Sequence, residues 1–190
     1  MDWAGLLKDQ LRERAQAWAR RPGVLAYGSR GTPATVLFQQ STGGDSHGSF
    51  FEEAWTAIKT HPEWSHRLEK RHARSAALPS GYQATAMELD SSNSSDALLM
   101  NCFCYPGASV RLARALGAAP IDAIPQFGYR ACILLSDGTT DATEVDMLLG
   151  DTLVEAKLTE RDFTSRPKAH VFRYGAIREV CRRYRRRPQR

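Results

Sequence analysis

The sequence has few of the features that mark zinc-binding, disulfide-rich, secreted or membrane proteins. Its four cysteines, Cys102, Cys104, Cys132 and Cys181, have no paired C-x-x-C spacing, so neither a zinc site nor a disulfide framework is expected. No stretch approaches the roughly 18 apolar residues of a membrane span, and the opening MDWAGLLKDQ has the pattern of neither a signal peptide nor a transit peptide. We therefore expect a reduced, soluble, cytoplasmic protein without a membrane partner.

Glycine is too sparse for a phosphate-binding loop, because segment 24–33 holds only Gly28 and Gly31 and no lysine follows them. Internal repeats of useful length are absent as well. A length of 190 residues with 42% hydrophobic content predicts one main domain with a real core. We place an N-terminal helix and flexible arm at 1–48 and the main domain with a basic tail at 49–190. The net charge of +5 is compatible with a polyanionic partner.

The most informative stretch is 143–160, TEVDMLLGDTLVEAKLTE. Alternating apolar residues on both sides of Gly150-Asp151 predict a β-hairpin with a two-residue turn. In that register Leu149 faces Thr152 and Met147 faces Val154, and the predicted pairs Asp146–Glu155 and Glu144–Lys157 follow. One face of the hairpin then carries the four charged residues, and the other carries a core set of Val145, Met147, Val154, Ala156 and Leu158.

Asp146 and Glu155 are thus expected to be direct cross-strand neighbours, where two like charges repel. A divalent cation between them would remove that repulsion, since Mg²⁺ prefers oxygen ligands. Lys157 adds a positive charge where an oxygen becomes negative during a reaction. The alternative is an exposed hairpin with a Glu144–Lys157 ion pair and two solvated acids, which leaves the opposed carboxylates unexplained.

Asp146 followed by Glu155-Ala156-Lys157 resembles the D…(D/E)-x-K signature of the PD-(D/E)xK nuclease superfamily, which has the restriction-endonuclease-like fold. Val145 stands where the signature has its nominal proline. The runs ELDSSNSSDALLMN, FGYR, TEVDM and EAKLTERDF also resemble a bacterial family of restriction endonucleases in that superfamily. The resemblance covers about residues 50–180.

The resemblance implies a mixed α/β (α+β) fold with an αβββα core, in which a central β-meander is flanked by helices. It implies a Mg²⁺-dependent nuclease, with Mn²⁺ as a substitute, that acts on double-stranded DNA. Catalysis would fall to Asp146, Glu155 and Lys157. The metal would be held by Asp146, Glu155 and the backbone carbonyl of Ala156, and Asp96 and Glu88 are offered as further ligands. Cutting both strands would call for two active sites and hence a homodimer.

Other residues are expected to support the site or contact nucleic acid. Glu144 would hold Lys157 or bind a second metal, and His170 and Tyr174 occupy a spacing that some exonuclease-like members fill with glutamine and tyrosine. Six basic residues would neutralise backbone phosphates: Arg67, Lys70, Arg71, Arg74, Arg182 and Arg183. For the first four, a solvated helix face is the alternative, and for the last two it is a disordered end. The alternative function is a catalytically inactive nuclease fold that binds nucleic acid or serves assembly.

Periodicity predicts helices at 3–20, 50–59, 63–74, 109–116 and 169–184, with another that has Asp96 in its first turn. Strands are expected at 35–39, 129–136 and 140–149 before the hairpin closes. We expect Phe51, Trp55, Ile58, Leu98, Cys102 and Cys104 to point inward and His47 to be solvated in a loop. Segment 24–33 is loop-like, and the serines and asparagine before Asp96 are N-cap candidates. The superfamily's last strand is not visible: either the gene is truncated, or 35–39 or another chain supplies the strand.

Overall fold

The computed structural model describes residues 3–28, 34–72, 86–115, 123–158 and 167–175. Helices and antiparallel strands alternate in it, so the predicted mixed α/β class is confirmed. The α-helices are α1 Trp3–Ala19, α2 Glu52–Thr60, α3 Pro62–Ser65, α4 Ser95–Phe103, α5 Ala108–Ala115 and α6 Lys168–Val171, and 3-10 turns lie at His66–Glu69 and Glu88–Asp90. The strands are β1 Leu25–Gly28, β2 Val36–Gln39, β3 Gln126–Arg130, β4 Ile133–Leu134, β5 Thr140–Asp141, β6 Glu144–Leu149 and β7 Thr152–Val154.

The main sheet is antiparallel, with β6 between β3 and β7. Met147 pairs with Val154 and Leu149 with Thr152, so the predicted hairpin register is confirmed there. Gly150 adopts a φ of 60° at the turn, a conformation that glycine reaches without steric cost. The β6–β7 ladder ends at the Met147–Val154 pair, so the predicted facing pairs beyond it do not form ladder partners.

The strand predicted at 129–136 is broken, because Cys132 takes a φ of 50°. The chain leaves β3 at Arg130 and forms a short β4–β5 ribbon before it enters β6. Gly138, with a φ of 79°, closes the ribbon's turn, where the Leu135 N–H donates to the Thr139 carbonyl at 2.8 Å. The predicted meander is therefore present, with this ribbon inserted between its first two strands.

Helix α4 lies between two clusters of apolar side chains. Ser94 caps it by accepting a hydrogen bond from the Ala97 N–H at 3.1 Å, and Asp96 falls in its first turn as predicted. One cluster consists of Phe50, Trp55, Ile58, Leu89, Ala97, Met100 and Cys104. The other consists of Leu99, Met147 and Leu149, with Val154 and Ala156 packed against it.

The solvent face of α4 differs from the prediction. Leu98 and Cys102 are exposed, because they lie four residues apart on the face opposite Met100. Cys104 is buried as predicted, and its burial raises the pKa of its thiol. In α2, Trp55 and Ile58 are buried as predicted.

Phe51 was expected to point inward and is 67% exposed. It occupies the N-cap of α2 rather than a position within the helix. Phe50 takes its place in the core, where its ring stacks on Trp55 with centroids 5.6 Å apart.

The helix predicted at 63–74 is much shorter. It consists of α3 and the 3-10 turn that ends at Glu69, and the backbone is extended at Lys70. Residues 73 and 74 of the predicted helix lie outside the described residues. Lys70 accepts a backbone hydrogen bond from the Glu88 N–H at 2.8 Å, and Arg71 forms an isolated bridge with Met87. This backbone pairing competes with helix continuation and brings the basic segment alongside Glu88.

The predicted helix α1 is confirmed, and β1 forms where a loop was expected. Strand β2 is buried but pairs with β1 in a separate sheet, so it does not supply a further strand to the main sheet. His47 was expected to be solvated and is 7% exposed. Its Nδ1 accepts from the Ser49 N–H at 3.1 Å and its Nε2 lies 3.3 Å from Asp90, so both ring nitrogens are satisfied inside.

Helix α6 ends at Val171, and turns follow at 172–175, so the helix predicted at 169–184 is wrong over those four residues. The rest of that helix, and any last strand after it, fall in 176–190, which lie outside the described residues. None of the helices that the structure describes combines the length and the apolar character needed to cross a bilayer.

Candidate functional site

The candidate site is centred on Asp146 in the middle of β6. Met147 and Leu149 anchor the strand in the core, so the alternation of side chains turns Asp146 to the opposite face. After Val154 the chain leaves the ladder, and the Ala156 N–H donates to Asp146 Oδ2 at 2.6 Å. This hydrogen bond joins Asp146 to the Glu155-Ala156-Lys157 part of the motif. The predicted strand register does not reveal this contact.

The carboxyl group of Asp146 is electrostatically unfavourable in its charged form. Burial raises its pKa, and the neighbouring charges of Glu155 and Asp96 raise it further, against the lowering effect of the Ala156 N–H and Lys157. The negative charges of Glu155 and Asp96 therefore both disfavour the charged form of Asp146. The direct cross-strand pairing of Asp146 with Glu155 that the sequence predicts does not form in the ladder, and their shared metal site stays a prediction.

The other acidic residues belong to a charge network of Arg67, Lys70, Glu88, Asp96 and Glu144. Arg67 donates to Glu144 Oε1 through Nη1 at 2.9 Å and to Asp96 Oδ2 through Nη2. Lys70 Nζ lies 2.8 Å from the same Glu144 oxygen and 3.1 Å from Glu88 Oε2. The network ties the 3-10 turn after α3 to α4 and to the first residue of β6.

The two cations that contact Glu144, Arg67 and Lys70, lower the pKa of its carboxyl group. Burial alone would raise the pKa of Glu144, but hydrogen bonds from Lys70 and Arg67 outweigh burial and lower it to about 2. Burial would likewise lower the pKa of Arg67, and the charge of Asp96 with the Glu144 hydrogen bond raises it instead. Glu144 and Arg67 are therefore both charged at neutral pH.

Gly128 in β3 makes room for the Arg67 guanidinium. A Cβ at this position would lie 2.2 Å from Arg67 Nη1 and 3.1 Å from Glu144 Cδ, closer than real atoms approach. Its φ of 67° also favours glycine. The sheet surface is thus shaped to receive this side chain, which is 11% exposed.

Glu155 and Lys157 lie just beyond the end of β7. Their side chains are joined by an ion pair of 2.5 Å and are 46% and 36% exposed. Ala156 between them packs on the Leu99–Met147–Leu149 cluster, which fixes the backbone while the two charged groups reach solvent. The carboxylates of Asp146 and Glu155 and the backbone carbonyl of Ala156 are oxygen donors of the kind that Mg²⁺ accepts.

Among the described residues, no three His, Cys, Asp or Glu side chains are placed to hold one metal ion together. Mg²⁺ is commonly held by one or two carboxylates, with water and substrate phosphate completing its shell. The carboxylates of half-buried Asp146 and of Glu155, with the Ala156 carbonyl as a third oxygen, are a donor set that fits that ion.

A family model described as restriction endonuclease associating with ARP (REase-ARP) matches residues 12–188. The chain belongs to this family. The match spans most of the 190 residues and confirms the resemblance to restriction endonucleases. No curated protein and no solved structure matches the chain significantly.

In this REase-ARP protein, the predicted supporting pair lies elsewhere. The Tyr174 hydroxyl donates to Asp141 Oδ2, and both Tyr174 and His170 line a cavity of about 600 Å³ beneath the β4–β5 ribbon. Among the described residues that line this cavity, Asp146 and Glu155 do not occur. The structure therefore does not bring His170 and Tyr174 to the candidate site.

The predicted phosphate-contacting residues separate into three groups. Arg67 and Lys70 are engaged with carboxylates, so their assignment to an open phosphate-binding surface is corrected. Arg71 is exposed, and its contact with phosphates stays a prediction. The remaining three lie outside the described residues: Arg74, Arg182 and Arg183.

The role of Arg67 is what sequence reasoning missed in this REase-ARP protein. A basic residue in a charge run gives no sign of a distant carboxylate partner. One signal was available in the FGYR strand, because a glycine inside a strand often marks a close approach, and at Gly128 the approaching group is the Arg67 guanidinium.

Proposed function

We propose that this protein is a Mg²⁺-dependent nuclease that hydrolyses phosphodiester bonds of double-stranded DNA. Membership of a restriction-endonuclease family supports the nuclease class. The observation that carries the proposal is the setting of Asp146: it is hydrogen-bonded to the backbone of the Glu155-Ala156-Lys157 motif, and burial together with the charges of Glu155 and Asp96 disfavours its anion. A divalent cation would relieve that repulsion.

Asp146, Glu155 and the backbone carbonyl of Ala156 would hold the metal. When bound there, a divalent cation lowers the pKa of a water ligand and neutralises charge on a phosphate. Asp96 and Glu88, the two further ligands that the resemblance offers, are paired with Arg67 and Lys70 in the charge network. We therefore propose that Asp146, Glu155 and the Ala156 carbonyl alone bind the metal. Asp96 would act on the site only through its negative charge, which raises the pKa of Asp146.

Lys157 would orient or deprotonate the attacking water and stabilise negative charge on the phosphate oxygens. Glu155 holds the Lys157 ammonium by their 2.5 Å ion pair, which keeps this cation at the edge of the proposed metal position. Cutting both strands requires two such sites, and a homodimer would provide them. Arg71, Arg74, Arg182 and Arg183 would contact the DNA backbone.

Thermal melting with EDTA, Mg²⁺ or Mn²⁺ tests the metal site. Ligand binding to the native state stabilises it by about 2.7 kcal/mol at 100 times Kd, so the melting temperature of the wild type should rise with either metal. Asp146→Asn should remove the rise. Asp151→Asn, the same change at the exposed turn of the same hairpin, should keep it. An equal rise in all three proteins would remove Asp146 from the metal site.

Cleavage of duplex DNA tests the catalytic assignment. Glu155→Ala and Lys157→Ala should each lower the cleavage rate by about 10²-fold or more, as loss of a charge-stabilising group does. Because their ion pair is exposed, unfolding free energies should change by less than about 1 kcal/mol. Glu53→Ala and Lys59→Ala, exposed positions on α2, serve as controls. Unchanged cleavage in both site variants would sink the assignment.

A second candidate is a nuclease fold that binds nucleic acid without cleaving it. The lack of a three-ligand metal group among the described residues favours it. Anisotropy of a labelled duplex in EDTA, followed by cleavage assays in Mg²⁺ and Mn²⁺, separates the two. Binding that needs no metal, with no cleavage in either ion, would select the binding module.

A further inference from the structure

Arg67 and Lys70 lie among three acidic side chains, those of Glu88, Asp96 and Glu144. Arg67 spans Asp96 on α4 and Glu144 on β6. Lys70 Nζ lies 2.8 Å from Glu144 and 3.7 Å from Asp96. Both cations thus contact the same two carboxylates, and each joins oxygens that come from different elements of the fold.

Burial makes this arrangement different from a surface ion pair. The side chains of Arg67 and Asp96 are 11% and 8% exposed, so water contributes little to neutralising either charge. A carboxylate in such a setting needs a fixed cation, either a side chain or a metal ion. In this chain the guanidinium and the ammonium fill that need.

The fold is also shaped for the guanidinium. Gly128 leaves the space that Arg67 Nη1 occupies, since a Cβ there would approach it to 2.2 Å. Arg67 Nε is buried and has no hydrogen-bond partner among the described groups, so the side chain is held chiefly by its two terminal nitrogens. The packing selects the two contacts to Asp96 and Glu144.

We propose that Arg67 and Lys70 replace a second divalent cation, so that the wild-type chain takes one divalent cation, at Asp146 and Glu155; the proposal rests on the nuclease function proposed above. Arg67 is then a positioning residue. It acts through Asp96 and Glu144 and holds them away from metal coordination, while Asp96 still presents its charge to Asp146. The cation count per chain is set by an arginine on the 3-10 turn.

Counting bound Mn²⁺ by electron paramagnetic resonance tests this directly, because the method separates free from bound ion. We expect one Mn²⁺ per wild-type chain. Arg67→Gln removes the guanidinium from Asp96 and Glu144, leaves Lys70 beside them, and should take up a second ion. Arg12→Gln removes another largely buried arginine, whose side chain is 16% exposed on α1, and should leave the count at one.

Two further variants locate the second ion. Arg67→Gln combined with Asp96→Asn should return the count to one, because a freed ligand is lost. Arg67→Gln combined with Asp146→Asn should also bind one ion, now at the Asp96–Glu144 position. Two ions in the wild type, or no additional ion in Arg67→Gln, would overturn the proposal.

The same variants distinguish this proposal from the proposed function. Suppose that the wild type binds no Mn²⁺, while Arg67→Gln binds one ion both alone and combined with Asp146→Asn. Arg67 then does replace a metal ion, and the proposed metal site at Asp146 is wrong. If Arg67→Gln does not fold in EDTA, it is prepared with Mn²⁺, where the second ion should restore its fold. Lys70→Gln, at a side chain that is 36% exposed, is the milder variant, and it too should exceed the wild-type count.

Discussion

Glu144 and Asp146 are two residues apart on one strand and on one face of the sheet, yet their environments are opposite. Glu144 receives hydrogen bonds from Arg67 and Lys70, which hold its pKa at about 2. At Asp146, burial and the negative charges of Glu155 and Asp96 raise the pKa against the lowering effect of the Ala156 N–H and Lys157. We call Glu144 the compensated end of the acidic face and Asp146 the uncompensated end, because favourable contacts outweigh burial only at Glu144.

Two neighbouring carboxylates of β6 thus differ in role: Glu144 belongs to a structural ion-pair network, and Asp146 belongs to the candidate functional site. The compensated end connects three parts of the chain through Arg67: the 3-10 turn, α4 and β6. The uncompensated end retains a charge that costs stability and that an added cation would neutralise. Perturbed ionisable groups of this second kind are typical of functional sites, whereas an ion-pair network of the first kind is a structural feature.

The largest effect should come from breaking the compensated end. Arg67→Gln leaves Asp96 buried without its cation, and removing one partner of a buried pair costs about 3–5 kcal/mol. Urea unfolding in EDTA measures the loss. Arg67→Gln combined with Asp96→Asn should recover most of it, since no buried charge is then left alone. A loss below about 1 kcal/mol in the single variant would show that water reaches Asp96.

A smaller effect should appear in acid. The pKa of Glu144 is about 2 in the folded protein against a usual value of 4.5. The folded state therefore binds the proton less readily, and the stability that the charged group contributes is present above pH 4.5 and declines as pH falls towards 2. Glu144→Gln should remove this part of the acid dependence.

Unfolding free energies of Glu144→Gln and wild type, measured from pH 6 down to pH 2.5, give the comparison. The gap between the two proteins should narrow as the pH falls. Glu53→Gln, on the exposed face of α2, is the control and should follow the wild type throughout. A constant gap would mean that Glu144 acts by shape and not by charge.

The smallest effect, of opposite sign, should come from the uncompensated end. The raised pKa of Asp146 means that its charged form is less favourable in the folded state, so stability is lost as pH rises through that pKa. Asp146→Asn keeps the size and an acceptor for the Ala156 N–H. In EDTA at pH 7 it should be slightly more stable than the wild type, and the gain should vanish at acidic pH. A less stable variant would contradict the comparison.

The features predicted well from the sequence are local. The Gly150 turn and the alternation around it determine the hairpin register, and the cap at Ser94 determines where α4 begins. Both depend on residues a few positions apart. The D…(D/E)-x-K pattern then placed Asp146, Glu155 and Lys157 at one end of the sheet.

The features that were missed depend on distant parts of the chain. The helix predicted after Pro62 ends early because Lys70 pairs with the backbone at Glu88, an interaction that helical periodicity does not reveal. His47 is buried because Asp90 and the rings of Phe50 and Trp55 surround it. In each case a tertiary partner overrides what the local composition indicates.

The space left by Gly128 links two positions that are far apart in the sequence. Any side chain there would displace the Arg67 guanidinium, and loss of that guanidinium would remove this steric requirement for glycine. Substitutions at the two positions should therefore occur together among members of the family. Relatives that carry a larger residue at 128 and a neutral one at 67 would be the natural proteins in which to look for a second metal ion.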